Sequence, residues 1–203
     1  RSIEGFSKIL LDEYSQHLDE ECRHYLSRIR CNTVRMSALI EDILDLSRAG
    51  RIELQKKPVH LKEIVKNVFN DFKDEIEIGS IAVSTGDIPV ANCDSSLMQV
   101  VFSNLISNAI KFTKDKESPE IAAGFDNEKN AIFVKDNGIG FDMQYHNKVF
   151  GVFQRLHLPE EYEGTGIGLA IVKRIIERHH GKVWAESEPG KGAAFFIKIP
   201  LGG

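Results

Sequence analysis

Three polar side chains share one face of a candidate helix. In NLISNAIK, Asn104, Asn108 and Lys111 fall at i, i+4 and i+7, and the residues around them are mostly apolar. Two amides and an ammonium in line are hard to explain as packing. Amide oxygens are hard ligands suited to Mg²⁺, and a lysine offers a point charge to phosphate. One such Asn would read as a solvated border of the core; the triplet reads as a site. In KDNGIGFD, a strand-like run, NAIFVKD, delivers Asp136 into a turn carrying Gly138 and Gly140. Asp-Asn-Gly is strong turn chemistry, so a hairpin turn is the plain reading. An aspartate fixed at the floor of a pocket would instead accept the exocyclic amine of adenine, where guanine presents a carbonyl. A charged hydrogen bond is worth about 1.5–3 kcal/mol, enough to choose one purine over the other.

A third stretch, EGTGIGLA, places Gly164, Gly166 and Gly168 at alternate positions and runs into the amphipathic IVKRIIERHH. It does not fit the dinucleotide fingerprint. Gly164 and Gly166 match the first two places, but Leu169 stands in the third, and the preceding RLHLPEEYE is polar and loop-like. The chain has no G-x-x-x-x-G-K-[ST] loop either. The free N–H groups of a helix start still hold phosphate, and Thr165 adds a hydroxyl, so a phosphate cradle of another design remains open beside an ordinary turn. In GKGAAFFIKIP, Gly190 and Gly192 permit close backbone approach and Phe195 begins a buried strand.

The elements that must carry these residues separate into two parts. Residues 2–14 have helical periodicity, with Ile3, Phe6, Ile9, Leu10 and Tyr14 on one side. Leu18, Cys22, Tyr25, Ile29, Asn32, Met36, Leu39, Ile43 and Leu46 then step by four and three without a break. Such a seam, sustained over about four heptads, belongs to coiled coils and bundles. Leu26, Ile40 and Leu44 widen it, which favours several helices over two. A helix from Leu18 to Arg48 would be roughly 45 Å long. One short helix cannot cover it, so a hairpin dimerising into a four-helix bundle is expected. The plainer alternative lays the long helix on the following domain. Ala49-Gly50 is expected to end the helix, with Gly50 as its C-terminal cap.

Beyond residue 50 strands and helices mix. Strands are expected at IELQKKPV, SIAVST, EIAAGF, NAIFVKD, KVWAES and AAFFIKIP, and helices at residues 60–77, at SSLMQVVFSNLISNAIKFT behind a capping Asp94, and at 167–179. The absence of strict βαβ alternation argues for α+β layers over a doubly wound sheet. The domains are therefore set at 1–50 and 51–203.

The net charge of −4 gives no electrostatic case for nucleic acid. No apolar run approaches the roughly 20 residues that span a bilayer, so no membrane contact is expected. Cys22, Cys31 and Cys93 form no CxxC pair and read as free, buried thiols in a reducing, cytoplasmic setting. Arg1 opens the chain without an initiator Met and with helix already under way, as if cut from something longer.

Together the motifs resemble the catalytic core of sensor histidine kinases, of the GHKL ATPase superfamily that also holds gyrase and MutL. QVVFSNLISNAIKFT looks like the family's N box, DNGIGFD like its first glycine box and KVFGVFQRLH like the F box of its mobile lid. EGTGIGLAIVKRIIERHHG looks like the second glycine box and GKGAAF the third. The order is the family's, and the preceding hairpin is similar to its dimerisation and phosphotransfer domain. FQRLH with GTGIGLA looks most like phytochrome-like members. The fold implied is a helical hairpin followed by a two-layer α/β sandwich, and the ligands implied are ATP and Mg²⁺.

Residue by residue, the resemblance implies that Asn108 ligates Mg²⁺, Asn104 supports nucleotide and metal, and Lys111 meets phosphate. Asp136 would read adenine, with Gly138 and Gly140 shaping the pocket. Gly164, Thr165, Gly166, Gly168 and Leu169 would bring the helix start to the phosphates. Phe150 and Phe153 would anchor the lid, residues 154–166, and Arg155 is a candidate for the γ-phosphate. Transfer to a histidine and then to the aspartate of a response-regulator receiver would follow, within a homodimer. Two departures stand out. His180 sits where the family's HGG usually has glycine. The H box, of the form H-E-L-R-T-P-L before RSIEGFS, is expected just ahead of Arg1, so the acceptor histidine and its neighbouring acid would lie outside this chain. None of His17, His24, His60, His146, His157, His179 or His180 has that context. An ATP-driven conformational switch without phosphohistidine, or a scaffold with a degenerate site, are the rival readings.

Overall fold

The computed structural model describes residues 2–51, 53–154, 162 and 164–201. Two compact units form, Arg1–Leu44 and Asp45–Gly203.

The first unit is helical. Helix α1 spans Ser2–Glu13, a single 3₁₀ turn follows at Ser15–His17, and α2 spans Glu20–Arg51. Asp19 starts α2 by accepting the Cys22 N–H at 2.7 Å, which satisfies one of the donors every helix start leaves over. The same bond holds the Asp19 carboxyl below its ordinary range. Among the described residues of this unit only Ser7 and Thr33 are buried, each hydroxyl bonded back to the carbonyl four residues earlier. Ile3, Phe6, Tyr25, Ile29, Met36, Ile40 and Ile43 stand exposed, and so do Cys22 and Cys31, contrary to the expectation of three buried thiols, because nothing among the described residues of this unit covers α2 there; Cys93 is buried. The heptad seam is thus an open apolar stripe on one chain. Helix α2 does not stop at Gly50: it runs one residue further, through Gly50 without a left-handed φ, so Gly50 lies inside the last turn and is not its C′ residue. A glycine can sit in a helix as well as end one, and only the backbone torsion tells the two apart.

The second unit is a two-layer sandwich. A five-stranded sheet has the order β2-β4-β5-β7-β6, from Ala82–Thr85, Glu120–Asp126, Ala131–Asp136, Gly192–Lys198 and Lys182–Glu188. Only β2 and β4 pair in parallel; the other neighbours are antiparallel. A separate antiparallel ribbon joins β1, Lys57–His60, to β3, Val90–Cys93, a short strand the sequence pattern did not show. Helices α3, Leu61–Asp71, α5, Ser95–Thr113, and α6, Gly168–Arg178, pack as one layer on the sheet. The helix expected over 60–77 breaks at Phe72, and a short α4 follows at Lys73–Ile78.

The core lies between the layers. Phe102, Leu105 and Ile106 of α5 and Ile171, Ile175 and Ile176 of α6 meet Ile121, Ile132 and Ile197 of the sheet, all essentially without solvent contact. Strand period decides where the chemistry goes. Ile132, Val134 and Asp136 are spaced by two along β5 and are all buried, so the alternation that buries the two aliphatic residues also carries the carboxylate inward. On the outer face Phe133, Phe196 and Trp184 form a cross-strand row, the last two stacked at 5.2 Å.

Candidate functional site

Helix α5 is the spine of the site. Asp94 precedes it in extended conformation and its Oδ1 accepts from the N–H groups of Ser96 and Leu97, a strong N-cap. The buried face of α5 is aliphatic and aromatic. Its other face carries Asn104, Asn108 and Lys111, all half-buried, so the structure brings the triplet together. Asn104 Nδ2 donates to the Val100 carbonyl at 2.8 Å, which turns its Oδ1 toward the start of α6. Lys111 Nζ lies 3.4 Å from Asn108 Oδ1 and 4.2 Å above the Phe112 ring.

The start of α6 closes against this face. Gly166 has φ +75° and Gly164 φ +143°, backbone that side-chain-bearing residues rarely adopt. A Cβ on Gly164 would stand 3.2 Å from Lys111 Nζ, and one on Gly168 2.3 Å from Asn104 Oδ1. Ile167, the N-cap of α6, makes no side-chain capping bond. Its first-turn N–H groups and the positive end of its dipole therefore lie beside Lys111 and Asn104, an arrangement suited to anionic oxygens. Thr165 Oγ1 accepts from the Ile167 N–H at 3.4 Å, and Leu169 is half-buried in the first turn.

Asp136 is buried, 4% exposed, at the end of β5. Its Oδ1 accepts from the N–H groups of Gly138 at 2.9 Å and Ala193 at 3.3 Å. Among the described residues nothing bonds to Oδ2, which is not wholly sealed from solvent. Burial raises the carboxyl to about 6, against the opposing pull of the Gly138 and Ala193 amides and of Lys116. Gly138 and Gly140 are required by close approach: a Cβ would meet the Phe112 carbonyl oxygen at 2.3 Å and that of Glu188 at 2.2 Å.

The two lid phenylalanines differ. Phe150 meets the Phe195 ring edge-on at 6.3 Å and so is held on the core. Phe153 is instead 58% exposed, on left-handed backbone at φ +61°. Arg155 lies outside the described residues. Tyr162, which sequence reasoning passed over, is buried and fastens to the end of α5. Its hydroxyl donates to Asp115 Oδ2 at 2.7 Å, its ring meets Phe112 at 5.3 Å, and Lys114 lies 4.7 Å above it. Its aromatic character two residues before the glycine run was the available signal.

Among the described residues no group of three or more His, Cys, Asp or Glu side chains could hold a metal. Among the described residues, the amide oxygens of Asn104 and Asn108 lie on the face of α5 beside Lys111 and the start of α6. That donor set fits Mg²⁺ of the kind that keeps its waters and phosphate oxygens and takes one or two ligands from protein. No helix among the described residues is long and apolar enough to cross a membrane.

Comparison with known proteins agrees with this geometry. Residues 93–203 match the family model HATPase_c, described as histidine kinase-, DNA gyrase B- and HSP90-like ATPase. Residues 1–52 match HisKA, the His Kinase A (phospho-acceptor) domain. The chain is 38% identical over 202 residues to phytochrome-like protein Cph1 of Synechocystis, covering 98% of this chain and 27% of that protein. It is 37% identical over 204 residues to cyanobacterial phytochrome B of Nostoc, covering 98% and 27%. It thus spans about a quarter of the length of these relatives. Two solved structures share the fold, each at TM-score 0.70: full-length ShkA with AMPPNP, 23% identical over 98% of this chain and 42% of that one, and ThkA in complex with response regulator TrrA, 24% identical over 98% and 57%. The phospho-acceptor match begins at residue 1, and it gives no support to the expectation that the accepting histidine is missing.

Proposed function

Because the chain belongs to the histidine kinases, joining a His Kinase A domain to an HATPase_c ATPase domain, we propose that the site built on Asp136, α5 and the start of α6 binds MgATP and serves γ-phosphoryl transfer to a histidine. The observation that carries this is the division of labour at Asp136. One oxygen is fixed by two backbone N–H groups and the other takes no bond among the described residues, so an adenine amine can donate to it.

Each residue then has a task. Asp136 orients the base, and the close backbone at Gly138 and Gly140 lets it lie flat on the floor. Lys111 and the N–H groups of the first turn of α6 hold phosphate oxygens, and Asn108, supported by Asn104, offers an amide oxygen to Mg²⁺. Bound MgATP supplies the phosphoryl group and neutralises the charge that moves with it. Transfer of this kind needs positioning and electrostatics more than covalent help. An imidazole nitrogen of the His Kinase A domain gains the N–P bond as the P–O bond to ADP breaks, and the imidazole proton passes to a neighbouring base. The acceptor is a histidine of the His Kinase A domain, within which His17 and His24 are surface residues of the hairpin. A receiver-domain aspartate takes the group next, and the open stripe of α1 and α2 is covered by a second copy in a four-helix bundle.

The test is autophosphorylation with ATP labelled at the γ-phosphate. Acid-labile, base-stable label that disappears on replacing the acceptor histidine supports the proposal. MgATP binding without such label moves the switch-ATPase reading ahead.

A further inference from the structure

Far from the phosphate-facing end of α6, its other end is tied down by an arrangement the proposed chemistry does not use. The buried backbone N–H of Asp94 donates to His179 Nε2 at 3.0 Å. A backbone amide can only donate, so Nε2 must carry the lone pair. Nδ1 then holds the proton, which it gives to the Ile175 carbonyl at 2.8 Å. The ring is neutral, 1% exposed and fixed from both sides. Asp94 is a hub in turn. Its Oδ1 caps α5, and its Oδ2 accepts from the Gln55 backbone N–H at 3.0 Å. Gln55 belongs to the segment that leads out of α2. The last turn of α2 also reaches α6, where a Cβ on Gly50 would stand 3.4 Å from the Arg174 guanidinium.

Helices α5 and α6 therefore run antiparallel between two fixed contacts: Asp94 with His179 at one end, and Asn104 with Gly168 at the other. Eleven residues of α6, about 16 Å, separate them. A helix is stiff along its axis, so sliding or tilting at His179 is felt at Gly168. We infer that His179 is a positioning residue for the nucleotide site: its clasp on Asp94 keeps the start of α6 in register with Asn104 and links that end to Gln55 behind the hairpin helix. This rests on the reading of the site as one for MgATP.

The test is made on the whole chain with a non-hydrolysable ATP analogue and Mg²⁺. Failure of the unaltered chain to bind overturns the site reading itself, and the clasp falls with it. Given binding, amide exchange at Gln55 and Asp94 should slow about fivefold or more on adding the analogue, because contacts at one end of α6 stabilise the other. Unchanged exchange there, with α6's first turn protected, overturns the clasp and leaves the site standing. Two variants separate positioning from folding. His179→Phe removes the acceptor, and His179→Gln places an amide oxygen near Nε2. Folded His179→Phe should bind about tenfold more weakly, with His179→Gln restored to within about threefold. Equal binding by Phe, or a Gln variant as weak as Phe, overturns the inference. Should Phe not fold, the exchange experiment on the unaltered chain decides.

Discussion

Asn104 Oδ1 occupies the space that a side chain on Gly168 would need: a Cβ there would lie 2.3 Å away. The start of α6 is pressed onto α5 at the residue that is proposed to support the nucleotide. Gly168→Ala should therefore split stability from binding. Alanine improves helix propensity by about 1 kcal/mol. Yet Asn104 must rotate and give up its bond to the Val100 carbonyl. We expect MgATP affinity to fall about tenfold, 1.4 kcal/mol, with Tm unchanged or higher. Titration calorimetry beside a thermal melt checks it, and wild-type affinity would sink the assignment.

Asp136 should make nucleotide binding pH-dependent. Its carboxyl is raised by burial to about 6. Protonation falls on Oδ2, since Oδ1 is held by two donors. An O–H then faces the adenine amine. Affinity should drop about tenfold between pH 7.5 and pH 5. Asp136→Asn, which presents an amide N–H₂ at the same place, should bind weakly at both pH values and lose the dependence. The sign for stability follows from the same shift. The folded chain holds this proton more tightly than the unfolded one, so the contribution is full below the ordinary carboxyl value of 3.8 and is lost as pH rises through about 6. Melts of the two proteins across that window should converge toward acid.

His180 closes α6 at a cost. Its N–H donates to the Glu177 carbonyl and the Gly181 N–H to that of Ile176, the paired bonds of a Schellman end. His180 takes the left-handed conformation with φ +59°. Glycine, the residue usual in HGG, fits that torsion without strain. His180→Gly should raise stability by about 1 kcal/mol and leave MgATP affinity alone. A denaturant midpoint that does not move would contradict this.

The Tyr162 hydroxyl fastens the residue before the glycine run to Asp115. Tyr162→Phe keeps the ring against Phe112 and removes the bond. A hydrogen bond to a charged group contributes about 1.5–3 kcal/mol, partly offset by the exposure of Asp115. Faster release of a fluorescent ATP analogue, by a few-fold, is the expected stopped-flow result, with little change in Tm.

The exposed stripe on α1 and α2 sets the last expectation. Ile29 and Ile43 stand open on the seam. Ile29→Asp with Ile43→Asp should convert a dimer to a monomer in sedimentation equilibrium, with the nucleotide unit still folded. A wild-type chain that is monomeric at micromolar concentration would count against the bundle.

Legibility followed chemistry and period. The i, i+4, i+7 face of α5, the alternation that buries Ile132, Val134 and Asp136, and the heptads of α2 all announce themselves in sequence, because helix and strand periods are fixed by the backbone. What escaped depends on torsion or on distant partners. Gly50 inside α2, the left-handed backbone of Phe153 and the short β3 strand are settled by local φ and by pairing with β1. The Asp94–His179 bond joins residues 85 apart in the chain and has no local signature.

The floor under Asp136 is made of main chain. Side chains on Gly138, Gly140 and Gly192 would each collide with a carbonyl oxygen, at 2.3, 2.2 and 2.1 Å. An inhibitor that sets an N–H donor on Oδ2 would lean on the one side chain there that adenine also needs, so that replacing Asp136 to escape it would weaken MgATP as well, and reshaping the glycine turns around it would cost the organism the fold.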